Sequence, residues 1–316
     1  MIGSILKLRP QKLKAEHFQI HFHPLNLQYH SVGSRSHIRQ AMGGALFSKP
    51  WRDWPETNKE ILDLIKRYKP KNNEASRLRI LLHGPIGAGK SSFINSVKSV
   101  LQGSISIQAP TDATSGTSFT TKYNTYKISN SPDAFYSFVF NDIMGLEQNA
   151  SNGVHVEDIK LALRGHVRDG YKFNPGHHMM EDNPFYNPSP TLDDRVHVLV
   201  SVIPADSVSL LSDEVWKKMR EVRLAASDMG IPQVAILTKV DEACAKVKNN
   251  SNNVYKSKYL KKQVDLLGQS LGHQENCIFL VKNYVSEINT QDGTDALILC
   301  ALRQMITYGE DFLNDL

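Results

Sequence analysis

From Arg77 onward, apolar residues fall into short runs separated by longer segments in which they recur every three or four positions. The runs predict strands at 77–83 (RLRILLH), 118–128, 135–141 (FYSFVFN), 196–203, 233–238 (QVAILT) and 277–282 (CIFLVK). The segments between them predict helices at about 90–101, 155–164, 212–229, 256–271 and 294–313. In helix 212–229, Ser212 is placed to cap the start and Asp213 and Glu214 suit the positive end of the dipole. Val215, Met219, Val222 and Ala226 share one face, and Gly230 ends the helix. A shorter helix is predicted at 57–68, with Thr57 and Glu60 as a capping box and Pro70 as its stop. Trp51 and Trp54, just before it, are expected to anchor the segment to the main body. Alternation of this kind predicts a three-layer α/β fold: a mainly parallel sheet with helices on both faces.

The pattern also divides the chain. Residues 1–50 lack sustained periodicity and read as a weakly ordered arm, 51–76 as a short helix and polar connector, and 77–316 as the main domain. Within that domain, 165–192 carries Pro175, Pro184, Pro188 and Pro190 and reads as an insertion without regular elements. Its Tyr171, Phe173, Phe185 and Tyr186 either pack it onto the body or face a partner.

Charge follows the same division. The 316-residue chain has a net charge of +5, but residues 1–52 hold eight Lys/Arg against a single acid, Glu16. The 37 basic and 32 acidic residues of the whole chain then leave 29 and 31 for residues 53–316, a net of −2. A nucleic-acid footprint across the folded domain is therefore not expected. The basic, acid-poor start resembles an organelle presequence but lacks the Ser-rich amphipathic character over its length. Cys244, Cys277 and Cys300 are odd in number and widely spaced, which fits neither a disulfide framework nor a zinc site. His17, His21, His23 and His177–His178 lack the matching ligands a metal cluster needs. No run of about 18 apolar residues predicts a spanning helix.

The chemistry concentrates at strand ends. Gly84-Pro85-Ile86-Gly87-Ala88-Gly89-Lys90-Ser91 fits G-x-x-x-x-G-K-[ST], with Ser92 next in line, between a predicted strand and a predicted helix. Such a loop turns its backbone N–H groups onto phosphate oxygens, and the helix start adds a positive dipole. Lys90 is placed to reach the β- and γ-phosphates and Ser91 to ligate Mg²⁺. Asp142-Ile143-Met144-Gly145 follows the third strand, placing a carboxylate near the metal and Gly145 near the γ-phosphate. Thr238-Lys239-Val240-Asp241 follows the strand VAIL. Asp241 there would accept two hydrogen bonds from guanine, whereas adenine would leave it unpaired. In this order the three motifs point to a P-loop NTPase of the Ras-like G-domain type, binding GTP or GDP with Mg²⁺.

Of the hydroxyls in 111–121, Thr120 is the first choice and Thr117 the second as a further Mg²⁺ ligand. The metal set is thus Ser91, Thr120 and Asp142. The final base loop reads Val281-Lys282-Asn283-Tyr284, and Lys282 and Asn283 complete the predicted nucleotide contacts. The position after D-x-x-G, where small GTPases place a water-orienting Gln, is Leu146. Slow intrinsic hydrolysis is the expectation, and no catalytic residue is assigned. Six lysines lie within 246–262 and read as a solvated face.

These motifs, together with KPW (49–51), RYKP (67–70), DIMGLE (142–147), RGHVRDGYKFNP (164–175), SPTLDDRVH (189–197), LTKVDE (237–242), VKNYVSE (281–287) and ALRQM near the C-terminus, resemble the interferon-induced protein 44 family with its 44-like branch. The resemblance covers about residues 47–316. It implies a cytoplasmic, interferon-inducible GTP-binding protein of the antiviral response. Longer relatives carry an N-terminal TLDc domain, for which residues 1–50 are too short. Expected partners are a guanine nucleotide and proteins, a homodimer among them. The rival reading is a nucleotide-insensitive interaction scaffold that keeps the G-domain fold; an ATP-using P-loop enzyme conflicts with Asp241.

Overall fold

The computed structural model describes residues 45–55, 58–110, 120–148 and 153–316. Their elements are α1 (Asn58–Arg67), β1 (Leu78–His83), α2 (Lys90–Gln102), β2 (Asn124–Ser131), β3 (Ala134–Asp142), α3 (Val156–Leu163) and β4 (Val198–Pro204). These are followed by α4 (Asp213–Asp228), β5 (Gln233–Thr238), the short α5 (Val240–Ala243) and α6 (Ala245–Asn249), α7 (Lys258–Leu271), β6 (Ile278–Leu280) and α8 (Asp292–Asn314). The strands make one six-stranded sheet in the order β2-β3-β1-β4-β5-β6. Every pairing is parallel except β2 against β3, which a tight hairpin joins.

Alternation along the strands divides the core in two. Leu81, Leu199, Ile203, Ala235 and Leu237 pack with α3, α4 and α7 on one face. Leu78, Ile80, Leu82, Val198, Val200, Val202, Val234 and Ile236 pack with α1, α2 and α8 on the other. Both faces being covered, β4 is buried at every position, which is why its sequence reads as an unbroken apolar run. The result is a three-layer α/β fold of the P-loop G-domain type, with the loops that follow β1, β3 and β5 gathered at one edge of the sheet.

Residues 45–55 pack against the loop before α7. Trp51 donates its backbone N–H to Tyr255 O (2.9 Å) and its ring meets Tyr255 edge-on at 5.3 Å. Arg52 donates to Ile278 O at 2.7 Å. Ser212 caps α4 as its sequence indicates, accepting from Val215 N–H at 3.4 Å. Thr57 lies outside the described residues.

The largest difference in a boundary is at the start of β2. The strand expected from 118 begins at Asn124, because the residues before it pair elsewhere. Tyr123 N–H donates to Tyr171 O (2.8 Å), Gly170 N–H to Tyr123 O (2.8 Å) and Phe173 N–H to Thr121 O (3.0 Å). The segment leading into β2 is therefore bonded to the stretch 170–173, and its extended sequence satisfies its backbone there rather than in the sheet. Tyr171 and Phe173 are buried, while Tyr186 stacks flat on His166 at 5.1 Å.

Candidate functional site

β1 runs directly into the loop 84–91, and Lys90 opens α2. Gly89 adopts φ +88°, and a Cβ there would lie 2.9 Å from Asn283 Nδ2, so the turn into the helix requires glycine. Lys90 is buried and its Nζ donates to Gly84 O (3.3 Å) and Pro85 O (3.2 Å). Burial lowers its pKa, and the charge of Asp142 opposes that shift.

Asp142 ends β3, in register with Leu82 of β1, and is fully buried. Ser91 Oγ donates to its Oδ2 at 2.5 Å, and Thr120 Oγ1 donates to the same oxygen at 3.3 Å. The two hydroxyls are 3.4 Å apart. Burial raises the Asp142 pKa, while Lys90, the two hydroxyls and the Ile143 N–H pull it back. Its other oxygen, Oδ1, is buried without a hydrogen-bond partner. The structure thus gathers Ser91, Thr120 and Asp142 into one cluster of hard oxygen donors with an unused carboxylate oxygen. Such a set suits Mg²⁺, which keeps few protein ligands and fills the rest of its octahedron with water and phosphate. Thr117 lies outside the described residues. Among those described, no group of three His, Cys, Asp or Glu side chains could hold a metal.

The D-x-x-G segment lies along the phosphate loop. Leu146 N–H donates to Gly84 O at 3.0 Å, and Pro85 and Leu146 form a parallel bridge. A Cβ on Gly145 would come within 2.8 Å of the Ile86 N and Cα, so the two loops touch backbone to backbone. Leu146 itself is 2% exposed and part of the hydrophobic core. Its side chain is unavailable for orienting a water.

Across the sheet edge, Thr238 Oγ1 donates to Ala88 O at 2.6 Å. Lys239 is the non-glycine residue with positive φ (57°) among those described, and it turns the chain so that Asp241 sits, half-buried, on the first turn of α5. Asn283 Nδ2 donates to Gly89 O at 3.1 Å, and its Oδ1 is buried without a partner. Lys282 is held in an ion pair with Glu287 at 2.7 Å. Burial favours the neutral acid at Glu287, but the hydrogen bonds from Lys282 and from backbone N–H groups outweigh it and hold the pKa at about 2. Thr238 and Asn283 therefore grip consecutive carbonyls of the phosphate loop, a role their motif positions alone do not reveal.

The sequence pattern also passes over His83, which immediately precedes Gly84. It is fully buried, shares a hydrogen bond with Ser201 Oγ (2.9 Å), and burial lowers its pKa to about 3. A lone histidine closing an apolar strand was the available signal.

No family model matches the chain. It is similar to interferon-induced protein 44 of Pan troglodytes and of Homo sapiens, each 36% identical over 262 residues. Those alignments cover 83% of this chain and 59% of either relative. Similarity extends to human interferon-induced protein 44-like, 34% identical, covering 83% of this chain and 58% of that one. The chain thus spans about three fifths of the length of the curated relatives it matches. Among solved structures, Toc33 from Arabidopsis thaliana in complex with GDP and Mg²⁺ aligns over 83% of this chain and 94% of its own, at 14% identity and a TM-score of 0.41. A GTP-binding protein from Sulfolobus solfataricus in complex with GDP aligns over 74% and 52%, at 13% identity and a TM-score of 0.34.

Proposed function

The chain belongs to the interferon-induced protein 44 family over the 83% of its length that matches, and we propose that it is a guanine-nucleotide-binding switch. In this reading, 84–92 hold the phosphates, Asp241 reads guanine, and Asn283 with the 281–284 backbone closes the base site. The observation that carries the reading is the fully buried Asp142, with one oxygen shared by Ser91 and Thr120 and the other unpartnered, facing a buried Lys90. Opposite charges brought out of water with a carboxylate oxygen unused suit a Mg²⁺–triphosphate better than a purely structural role.

Ser91, Thr120 and Asp142 would hold Mg²⁺, which supplies neutralising charge across the β- and γ-phosphates when bound. Lys90, released from the carbonyls of Gly84 and Pro85, would turn to the same oxygens. Leu146 leaves the attacking water without a side chain to orient it, so hydrolysis by this chain alone is slow. The name of the relatives adds interferon induction to the proposal, and we infer a cytoplasmic antiviral role for the chain.

A scaffold that never binds nucleotide is the competing reading. It is favoured by the way the phosphate loop satisfies itself, with Lys90 on Gly84 and Pro85 and Leu146 N–H on Gly84 O. Titration of purified protein with GTP, GDP and ATP, with and without Mg²⁺, separates the two. The switch requires guanine selectivity and Mg²⁺ dependence, and Asp241→Asn should shift selectivity toward xanthine nucleotide. Equal, weak binding of all three nucleotides would leave only the scaffold.

A further inference from the structure

At the opposite edge of the sheet from the phosphate loop, where β4 and β5 begin, lies a separate cavity of about 420 Å³. Its volume falls within the range of small-molecule sites, about 300–1,000 Å³. Leu163, Val196, Ile231 and Phe312 supply apolar wall, and Arg164 and Arg195 stand at its rim. The two arginines are neighbours by construction. Val196 N–H donates to Leu163 O at 3.1 Å, laying 163–165 beside 194–196. Gly165 fits against this neighbour so closely that a Cβ would meet the Asp194 carbonyl carbon at 2.8 Å.

The rim carries an excess of positive charge. Neither guanidinium has a hydrogen-bond or ion-pair partner among the described residues, and no acidic side chain lines the cavity. Against the two cations stand only about half a negative charge at the carboxyl end of α3 and the terminal carboxylate of Leu316, itself a lining residue, so a positive excess remains. Two like charges over an apolar hollow call for a ligand with an anionic head and an apolar body, since an Arg fork and a carboxylate match geometrically. The hollow also excludes a compact polar anion, which would leave the apolar wall wet.

We propose that this cavity binds a long-chain fatty carboxylate, with its chain against Leu163, Val196, Ile231 and Phe312 and its head group between Arg164 and Arg195. Nothing in the inference depends on nucleotide binding, which concerns the other edge of the sheet.

The full chain should be titrated with cis-parinaric acid, a fluorescent fatty acid, below its micellar concentration, and the probe then displaced with palmitate or with hexadecanol. Saturable binding of one probe per chain is expected, with palmitate displacing it about tenfold better than the alcohol, the worth of a charge-assisted hydrogen bond. In Arg164→Gln/Arg195→Gln that advantage should vanish while hexadecanol competes as before. Met229 also lines the cavity, so Met229→Trp should abolish probe binding by filling it. Circular dichroism and urea unfolding check that both variants remain folded. Three outcomes would overturn the assignment: no saturable binding, binding that survives Met229→Trp in a folded protein, or uptake of probe only in the presence of lipid vesicles.

Discussion

Replacing Thr238 by valine keeps its shape and exchanges its hydroxyl for a methyl group. Thr238 is fully buried and donates to Ala88 O at 2.6 Å, with Ile203 O more distant at 3.4 Å. Ala88 is itself buried, so the substitution strands its carbonyl without water. A net hydrogen bond contributes about 1 kcal/mol, and an unsatisfied buried carbonyl costs roughly 1–3 kcal/mol. A loss of about 2 kcal/mol is therefore expected. At an m-value of roughly 2–3 kcal/mol per M, the urea midpoint should fall by about 0.7–1 M.

Two controls sharpen the test. Thr238→Ser retains the hydroxyl and forfeits only a methyl group, about 1 kcal/mol, so it should be milder than valine. Asn283→Ala removes one of two donors to Gly89 O, the next carbonyl along, which keeps the Phe93 N–H at 2.9 Å. Because both residues hold one loop, the double variant should show a coupling energy of about 0.5–1.5 kcal/mol. GDP affinity should fall with the clamp, since a loosened loop must be ordered again on binding. Unfolding of Thr238→Val within about 0.5 kcal/mol of wild type, or Thr238→Ser as damaging as valine, would refute the clamp.

Three further outcomes follow from the same geometry. Lys90→Ala should cost at least about a hundredfold in guanine-nucleotide affinity, the loss of a charged phosphate contact, while circular dichroism shows a folded chain; undiminished binding would displace the site. His83, His197 and His273 are held neutral mainly by burial, with pKa values lowered from 6.5 to about 3, 4 and 4. Their contribution is full above pH 6.5 and lost as pH falls toward 4, where the unfolded chain binds protons the folded one refuses. Stability should then drop by up to about 4 kcal/mol per pH unit, and a flat urea midpoint across that window would contradict it. Finally, hydrogen exchange in a non-hydrolysable GTP analogue should protect 120–123 and 170–173 together relative to GDP; equal protection in both states would favour the scaffold.

What could be read from the sequence was local. The phosphate loop, Asp142 at the end of β3 and Thr238 at the end of β5 each sit in a motif whose strand and helix are coded by their own neighbours. The layered sheet was equally legible, because buried parallel strands must be apolar on both faces. The Asn283 grip on Gly89 spans 194 positions, and no local pattern carries it. The start of β2 was misplaced for the same reason: the residues from Thr121 to Tyr123 have strand-like composition, and only the fold decides that their partner is 170–173 rather than the sheet.

That partner has consequences for how a signal at the phosphate end would leave the site. Thr120 shares Asp142 with Ser91, and Thr121 and Tyr123 just after it are bonded through their backbone to 170–173. Thr125 N–H extends the ladder to Asp169 Oδ1. The same insertion is tied to α3, the helix that follows D-x-x-G. Met179 N–H donates to Asp158 Oδ1 at 2.6 Å, and His155 Nε2 meets Pro175 O at 2.8 Å. The segment after Thr120 and the helix after D-x-x-G are thus fastened to one insertion. With Tyr171 and Phe173 buried beneath it, this stretch has an apolar underside that resists peeling apart piecemeal. A displacement at Thr120 would have to break three backbone hydrogen bonds or carry 170–173 along. Breaking bonds whose donors are then half-buried is the costlier course. Movement of the insertion with the loop is the cheaper one, and it would carry along an outer surface on which Met180 is 58% exposed and Phe185 40%.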